Sequence, residues 1–290
     1  MALTIEPLGA ACGARLTGVD LSAPVSPEIQ RAVRRAWLEH KVLVFPDQPL
    51  SPENLPQAAR NFGPIGDDPF FESISAGSPV VAICRRADET APVFAEAWHT
   101  DWSFKVRPPA GTLLFGVTIP PVGGNTSFIN QELVLAQMPA DLRRRLDGLI
   151  ARHSAKVAYA PEGTYGEADA GSDRSMKIRI DASARAVQTH PLIIRHPETG
   201  ARVVYSTLGY ICGIEGMADE AATALLHELY QWQTQPQFQY HHRWEPNMLV
   251  LWDNRAVLHK ANGGFDGYER LLYRVTIADD PAFYLDGAAA

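Results

Sequence analysis

The chain has 290 residues, 46% of them hydrophobic and 20% charged, with a formal net charge of -7. Such a composition predicts a soluble globular protein with a sizeable core, and the negative balance opposes binding to nucleic acid phosphates or anionic lipid. No apolar run of membrane-spanning length occurs, so no membrane insertion is expected.

The opening, MALTIEPLGAACG, lacks a basic segment followed by an apolar one, so no secretory leader is expected. Cys12, Cys84 and Cys212 are far apart and form no CxxC pair, which predicts a reducing, cytoplasmic setting and no zinc-thiolate site. Ser26-Pro27 opens PEIQRAVRRAWLEH, where Ile29, Val33 and Trp37 recur along one helical face. Ser51-Pro52 predicts a second helix ending near Phe62-Gly63, with Pro56 inside its early part. Further helices are expected over PADLRRRLDGLIARH, after Met138, and over DEAATALLHELYQW from Asp219. Strands are read from KVLVF, VVAIC, TLLFGVTI, TSFI, LIIR, RVVYS, MLVLW and YRVTIA, separated by turn-forming IPPVGGN, HPETGA and NGGFDG.

These strands are irregularly spaced and do not alternate with helices. The pattern argues against a doubly wound parallel sheet and for a mainly β, double-sheet architecture with helical insertions. No composition change marks a boundary, so residues 1–290 are read as a single domain. The segment 161–185, PEGTYGEADAGSDRSMKIRIDASAR, reads as a long mobile loop, either a lid or an ordinary solvated excursion. The arginines in RRADET and LRRRLDG are mixed with acids and read as solvated surface. A GAAA tail closes the chain.

Chemistry concentrates in EAWHTDWSF. Residues i and i+2 of a strand share a face, so His99 and Asp101 at a strand end would reach one ion together. Two histidines and one carboxylate on one side of Fe(II) leave adjacent coordination positions open, which is the arrangement of oxygen-activating non-haem iron sites. His259, in LWDNRAVLHKAN, follows a strand and a turn and can enter the same mouth from a distant part of the chain. His190 and His196 read as structural, and the adjacent pair His241-His242 is not expected to hold one metal together, since neighbours on a strand point to opposite faces. Arg270 and Arg274 lie on one face of an apolar strand. A buried guanidinium needs an anion, and its planar fork suits a carboxylate. Ion pairs with Glu269 or Asp266 are the alternative.

WHTDWSF, PPAGTLLFGVTIPPVGGNTSF, HPLIIRHPETG, WDNRAVLHKAN and ERLLYR, in this order, resemble the TauD/TfdA family of Fe(II)- and 2-oxoglutarate-dependent dioxygenases, from LTIEPLGAACGARLTGVDL through Asp279. The resemblance implies a double-stranded β-helix (jelly-roll, cupin-like) core and assigns His99, Asp101 and His259 as iron ligands. It places the distal carboxylate of 2-oxoglutarate on Arg270, helped by Thr126, and the anionic group of the substrate on Arg274. It also implies consumption of O2, decarboxylation of 2-oxoglutarate to succinate and hydroxylation of a small anionic molecule. The presence of Asp101 favours hydroxylation over halogenation, since related halogenases carry a small residue there.

Family members of this kind act on sulfonates, alkyl sulfates and aryloxyalkanoates. This chain departs from the taurine enzymes: DDPFF follows FGPIG without their sulfonate-binding histidine, and Ala95 offers no amide. Trp102, Phe104, Tyr159 and Tyr210 form a candidate aromatic wall, which favours an aryloxyalkanoate-like or other hydrophobic carboxylate. An alkyl sulfate or sulfonate dioxygenase is the alternative, and a non-catalytic metal-binding jelly-roll sensor the second. The sequence is compatible with a homo-oligomer and does not select one.

Overall fold

The computed structural model describes residues 2–285; the GAAA tail lies outside them. The strands are β1 (Thr4–Pro7), β2 (Ala14–Thr17), β3 (Val42–Phe45), β4 (Val81–Arg85), β5 (Gly111–Thr118), β6 (Thr126–Asn130), β7 (Ile150–Ser154) and β8 (Val187–Pro191). They continue with β9 (Ile193–Arg195), β10 (Arg202–Val204), β11 (Ile211–Ile214), β12 (Gln239–His242), β13 (Leu249–Asp253), β14 (Val257–Ala261) and β15 (Arg270–Ile277). The helices are α1 (Pro27–His40), α2 (Leu55–Arg60), α3 (Gln131–Ala136), α4 (Ala140–Leu146), α5 (Lys156–Tyr159), α6 (Glu167–Ala170) and α7 (Asp219–Gln233). None of the described helices is long and apolar enough to cross a membrane.

All the strand-like runs read from the sequence are strands. Two helix expectations need correction. The second helix begins only at Leu55, with Pro56 accommodated in its first turn, where no intrahelical N–H is needed. The helix expected through His153 stops at Leu146. Gly148 then takes a positive φ of 77°, and Ile150–Ser154 becomes β7, paired with both β8 and β11. Residues 161–185 carry α6 and a 3-10 turn at Ala182–Arg185. They are tied to the preceding segment by Arg174 to the Pro92 carbonyl (2.9 Å) and by Asp173 accepting from the Thr90 and Ala91 amides (2.6 and 2.8 Å).

The larger sheet runs β1-β2-β3-β13-β5-β15-β4, and a smaller one runs β12-β6-β14. Alternation along the large sheet divides its side chains cleanly. Leu43, Phe45, Leu113, Phe115, Leu249, Leu251, Val275 and Ile277 pack with Val33, Ala36 and Trp37 of α1 and with Leu55, Ala58 and Ala59 of α2. Val42, Val44, Leu114, Val250, Trp252 and Leu272 point the other way and meet Phe128 and Val257 of the small sheet. Strands buried on both faces read as continuous apolar runs, which is why VLVF and LVLW show no polar alternation. The small sheet divides in the same way, with Ile129 and Leu258 packing outward with residues of α3, α4 and α7. Two facing sheets with helices outside form the jelly roll. Its inner face includes Thr112, Arg270 and Arg274, at even spacing from Leu114 and Leu272.

Candidate active site

His259 lies two residues beyond Val257 on β14 and therefore faces the same interior. Backbone bonds in both directions between His99 and His259 (3.0 and 2.8 Å) form an isolated bridge that brings their rings to 4.2 Å between centroids. Glycine at 209 permits a close approach behind this pair, because a Cβ there would sit 2.9 Å from the Trp98 carbonyl oxygen and 3.0 Å from His99 Cβ. The HxD pair is not an extended strand, contrary to expectation. After the bridge at His99 the chain enters a turn at Asp101, and Trp102 sits at φ 50°. Such a conformation in a bulky residue costs on the order of 1–3 kcal/mol. It is held by a hydrogen bond from Trp102 Nε1 to Asp68 Oδ1 (2.7 Å) and by the rings of Phe70, Phe71 and Tyr159.

One ligand atom from each of His99, Asp101 and His259 lies within 4.8 Å of the others, and no other such cluster occurs among the described residues. The Nε2 atoms of His99 and His259 are 3.9 and 3.7 Å from Asp101 Oδ1. These separations are too long for hydrogen bonds and suit three donors around a shared ion. His99 Nδ1 donates to the Ala97 carbonyl (2.8 Å), which leaves its Nε2 bare. Burial lowers the pKa of both imidazoles, that of His259 further because of His99 beside it, so both present neutral nitrogens. Burial alone would raise the Asp101 carboxyl, but the Arg274 guanidinium beside it holds it well below the usual carboxylate range. Two neutral imidazoles and an ionised carboxylate are the donor set that Fe(II) requires.

Behind the carboxylate runs a buried chain of donors. Thr112 Oγ1 donates to Asp101 Oδ2 (2.6 Å), Asn254 Nδ2 to Thr112 Oγ1 (2.9 Å), and Trp252 Nε1 to Asn254 Oδ1 (2.9 Å). Thr100 Oγ1 donates to the Asn254 carbonyl (2.6 Å), tying the turn to the same residue. Partners of this kind fix ligand orientation. Thr112→Val is therefore expected to weaken Fe(II) binding roughly 10-fold, with Thr112→Ser near wild type, in an anaerobic metal titration. Equal affinities for the two variants would show that the hydroxyl does not orient Asp101.

The cavity at the triad is lined by Thr126, Arg270 and Arg274 and by Phe71, Phe94, Trp102, Tyr159, Tyr210 and Trp252, among others. Arg270 is buried, its Nε has no hydrogen-bond partner, and no acid pairs with it among the described residues. Burial pushes its guanidinium down to about 10, with no nearby charge restoring it. The second glycine of GGNT, Gly124, at φ 65°, leaves room for this side chain; a Cβ there would lie 3.3 Å from Arg270 Nε. Thr126 Oγ1, at the start of β6, accepts from Trp244 Nε1 (3.0 Å).

Arg274 differs from what the sequence suggests. The acid missing locally is supplied from afar: Nε donates to Asp68 Oδ1 (3.0 Å) and Nη1 to Asp101 Oδ1 (3.2 Å). Although burial would lower its pKa, Asp101 and Asp68 raise it.

Of the four expected wall residues, Trp102, Tyr159 and Tyr210 line the cavity. Phe104 stands one layer behind, its ring centroid 5.0 Å from Tyr210 and 5.7 Å from Phe70, because the turn at Trp102 directs it away from the opening. Phe71 and Phe94 belong to the wall and went unread. His196 and His190, expected to be structural, have ordinary partners in Asp253 (3.0 Å) and the Lys105 carbonyl (2.9 Å), and His241 bonds to Ser127 (2.7 Å).

A jelly roll whose interior gathers two histidines, one aspartate and an arginine with no acid partner among the described residues defines a non-haem iron oxygenase that takes an acidic co-substrate. Residues 4–276 match the family described as taurine catabolism dioxygenase TauD, TfdA family. The chain is 31% identical to an (S)-phenoxypropionate/alpha-ketoglutarate-dioxygenase from Sphingobium herbicidovorans, covering 97% of this chain and 96% of that one. It is 29% identical to an alpha-ketoglutarate-dependent 2,4-dichlorophenoxyacetate dioxygenase from Cupriavidus pinatubonensis, covering 97% and 99%. A crystal structure of a taurine dioxygenase from Burkholderia xenovorans superposes with a TM-score of 0.78 at 32% identity, over 96% of this chain and 90% of that one. The chain belongs to the TauD/TfdA family. It is a dioxygenase that uses Fe(II), 2-oxoglutarate and O2 to oxidise a small molecule, and the sensor reading falls away.

Proposed function

We propose that His99, Asp101 and His259 hold the iron, that Arg270 and Thr126 receive the distal carboxylate of 2-oxoglutarate, and that Arg274 with the aromatic wall positions the primary substrate. The favoured substrate is an aryloxyalkanoate-like or other hydrophobic carboxylate. The observation that carries this reading is the lone guanidinium of Arg270 in the same cavity as the triad. A buried cation without an acid partner is a poor structural element and a good receptor for a dicarboxylate.

The oxidising equivalent comes from O2 through the bound iron and keto acid, with substrate and 2-oxoglutarate going to hydroxylated product, succinate and carbon dioxide. The protein needs no nucleophile or general base of its own. Trp102, Tyr159, Tyr210, Phe71 and Phe94 exclude water and hold an apolar body, and Arg274 orients its polar end. Names of relatives that act on phenoxypropionate and dichlorophenoxyacetate support the carboxylate choice. The alternative, an alkyl sulfate or sulfonate, is favoured by the likeness to the taurine dioxygenase structure.

The whole chain acts as one catalytic domain, in a cytoplasmic setting and without a nucleic acid or membrane partner. Arginine charges such as Arg86, Arg144 and Arg145 are spent on Asp88, Asp141 and Glu228, which supports that part of the reading.

Oxygen-dependent succinate release should be greatest with aryloxyalkanoates in a panel that includes alkyl sulfates, sulfonates and amino acids. An alkyl sulfate outperforming every carboxylate would overturn the preference. In the same assay Arg270→Ala should raise the KM for 2-oxoglutarate roughly 100-fold, the loss of a charged hydrogen-bonded pair. Arg274→Ala should raise the KM for the primary substrate and leave that for 2-oxoglutarate near wild type. The opposite split would exchange the two roles.

A further inference from the structure

We propose that Asp68 is a positioning residue that sets the selectivity of this site between carboxylates and sulfur oxyanions, by occupying one edge of Arg274. The inference rests on the reading of Arg274 as the receptor for the substrate's anionic end. Three nitrogens of Arg274 carry donors. Nε is taken by Asp68 (3.0 Å) and Nη1 by Asp101 (3.2 Å), and Nη2 is buried with no partner among the described residues. The guanidinium is also fixed between rings, its central carbon 5.6 Å from the centroid of Phe71 and 5.4 Å from that of Trp102. Asp68 is itself held. Its Oδ1 accepts from Trp102 Nε1 (2.7 Å), its side chain is 5% exposed, and its backbone carbonyl accepts from Arg179 Nη2 (3.2 Å). Arg274 therefore cannot present its Nε–Nη2 edge as a fork, and Nη2 is the one nitrogen left wholly without a partner for the substrate.

A single donor discriminates by the basicity of the atom it meets. A carboxylate concentrates its charge on two oxygens and accepts strongly at either one. A sulfonate or sulfate ester spreads the same charge over three weakly basic oxygens, each a poor acceptor, and needs several donors to be held as firmly. With Asp68 in place, the carboxylate is preferred. Asp68 also adds a negative charge, which lowers affinity for either anion without choosing between them.

Two substitutions separate these effects. In Asp68→Asn, an amide oxygen at the Oδ1 position still accepts from both Arg274 Nε and Trp102 Nε1, so the charge goes and the occupancy stays. In Asp68→Ala, Nε is released to act beside Nη2. Binding of phenoxyacetate and of phenylmethanesulfonate is measured calorimetrically, under anaerobic conditions, on protein loaded with Fe(II) and 2-oxoglutarate. Wild type should bind phenoxyacetate about 10-fold more tightly, a difference of about 1.4 kcal/mol. Asp68→Asn should bind both more tightly and keep the ratio. Asp68→Ala should bring the ratio to about 2-fold or less, with 2-oxoglutarate affinity unchanged in all three proteins. A ratio in Asp68→Ala equal to that of wild type overturns the proposal, as does an equal collapse of the ratio in Asp68→Asn. So does the absence of binding of both anions to all three proteins, since Arg274 then receives no anion. Failure of the dioxygenase assignments is a different result: no succinate with any carboxylate and no effect of Arg270→Ala on 2-oxoglutarate.

Discussion

Asp101→Ala is expected to abolish ferrous binding and turnover, and to do more harm than His99→Ala. The carboxylate is the only negative charge among the three ligands, and it lies against the Arg274 guanidinium at 3.1 Å. Removing a histidine leaves Asp101 to attract the dication. Removing Asp101 leaves two neutral imidazoles beside a buried guanidinium whose one remaining acid partner among the described residues is Asp68, so the site loses its charge attraction for Fe(II). A loss of at least about 1000-fold in affinity, some 4 kcal/mol, is expected. The visible charge-transfer band that reports anaerobic assembly of Fe(II) with 2-oxoglutarate should be absent at any practical iron concentration. Asp101→Asn preserves an acceptor for Thr112 Oγ1 and should fail nearly as completely, which separates lost charge from lost support. A band of wild-type intensity in either variant would refute Asp101 as a ligand.

What could be read from the chain and what could not divide along a physical line. His99 and Asp101 are near neighbours, His259 follows a strand and a turn, and Arg270 and Arg274 share a strand face, so each could be found from local spacing. The turn at Asp101 shows that even there the reason was incomplete: the two side chains converge through a bridge to His259 and a bend, where simple alternation had been expected. Asp68, Thr112 and Asn254 gave no local signal. Asp68 meets Arg274 across 206 positions and Asn254 meets Thr112 across 142, and nothing in DDPFF or WDNRA states those pairings. Thr112 was visible only as part of a strand, although its even spacing from Leu114 would have placed it inside once the inner face was known. Among the aromatics, Phe104 is close to HxD in sequence, but Trp102 at positive φ turns the chain and gives that space to Phe71 from another segment. Strand β7 was hidden because IARHS has no regular alternation of apolar and polar residues and is defined by two remote partners.

The same distance from local signals applies to the network that supports His259, and it carries the largest expected effect on stability. Arg255 lies in the turn between β13 and β14. It donates from Nε to Asp253 Oδ1, from Nη2 to Asp253 Oδ2 and Glu198 Oε1, and from Nη1 to Asp279 Oδ1, each at 2.9 Å. Glu198 also accepts from Arg34 Nε of α1 (2.9 Å), and Asp253 from His196 (3.0 Å). Arg34 and Arg255 flank the Trp37 ring, with guanidinium carbons 4.7 and 5.6 Å from its centroid. One side chain thus joins the outer helix, the HPETG turn, the end of β15 and the entry to the strand that bears His259. Arg255→Met fills much of the volume but leaves the Asp253 carboxylate with only His196 and the backbone amide of residue 255, and the Glu198 carboxylate with Arg34 alone. Removing one member of a buried ionic cluster costs about 3–5 kcal/mol. The apparent melting temperature should fall by on the order of 10 °C. The sign of its pH dependence follows from Asp253. Burial alone would raise its carboxyl, but Arg255 and His196 hold it far below the usual range. Its contribution is therefore fully present above the unfolded-state value of about 4 and is lost as pH falls through the depressed folded-state value. The gap between wild type and Arg255→Met should stay constant from about pH 5 to 8 and close only in strong acid. Ferrous affinity of the variant, measured well below its melting temperature, should weaken along with stability because the β13–β14 turn positions His259. A destabilised protein that binds iron as tightly as wild type would confine this network to holding the fold together.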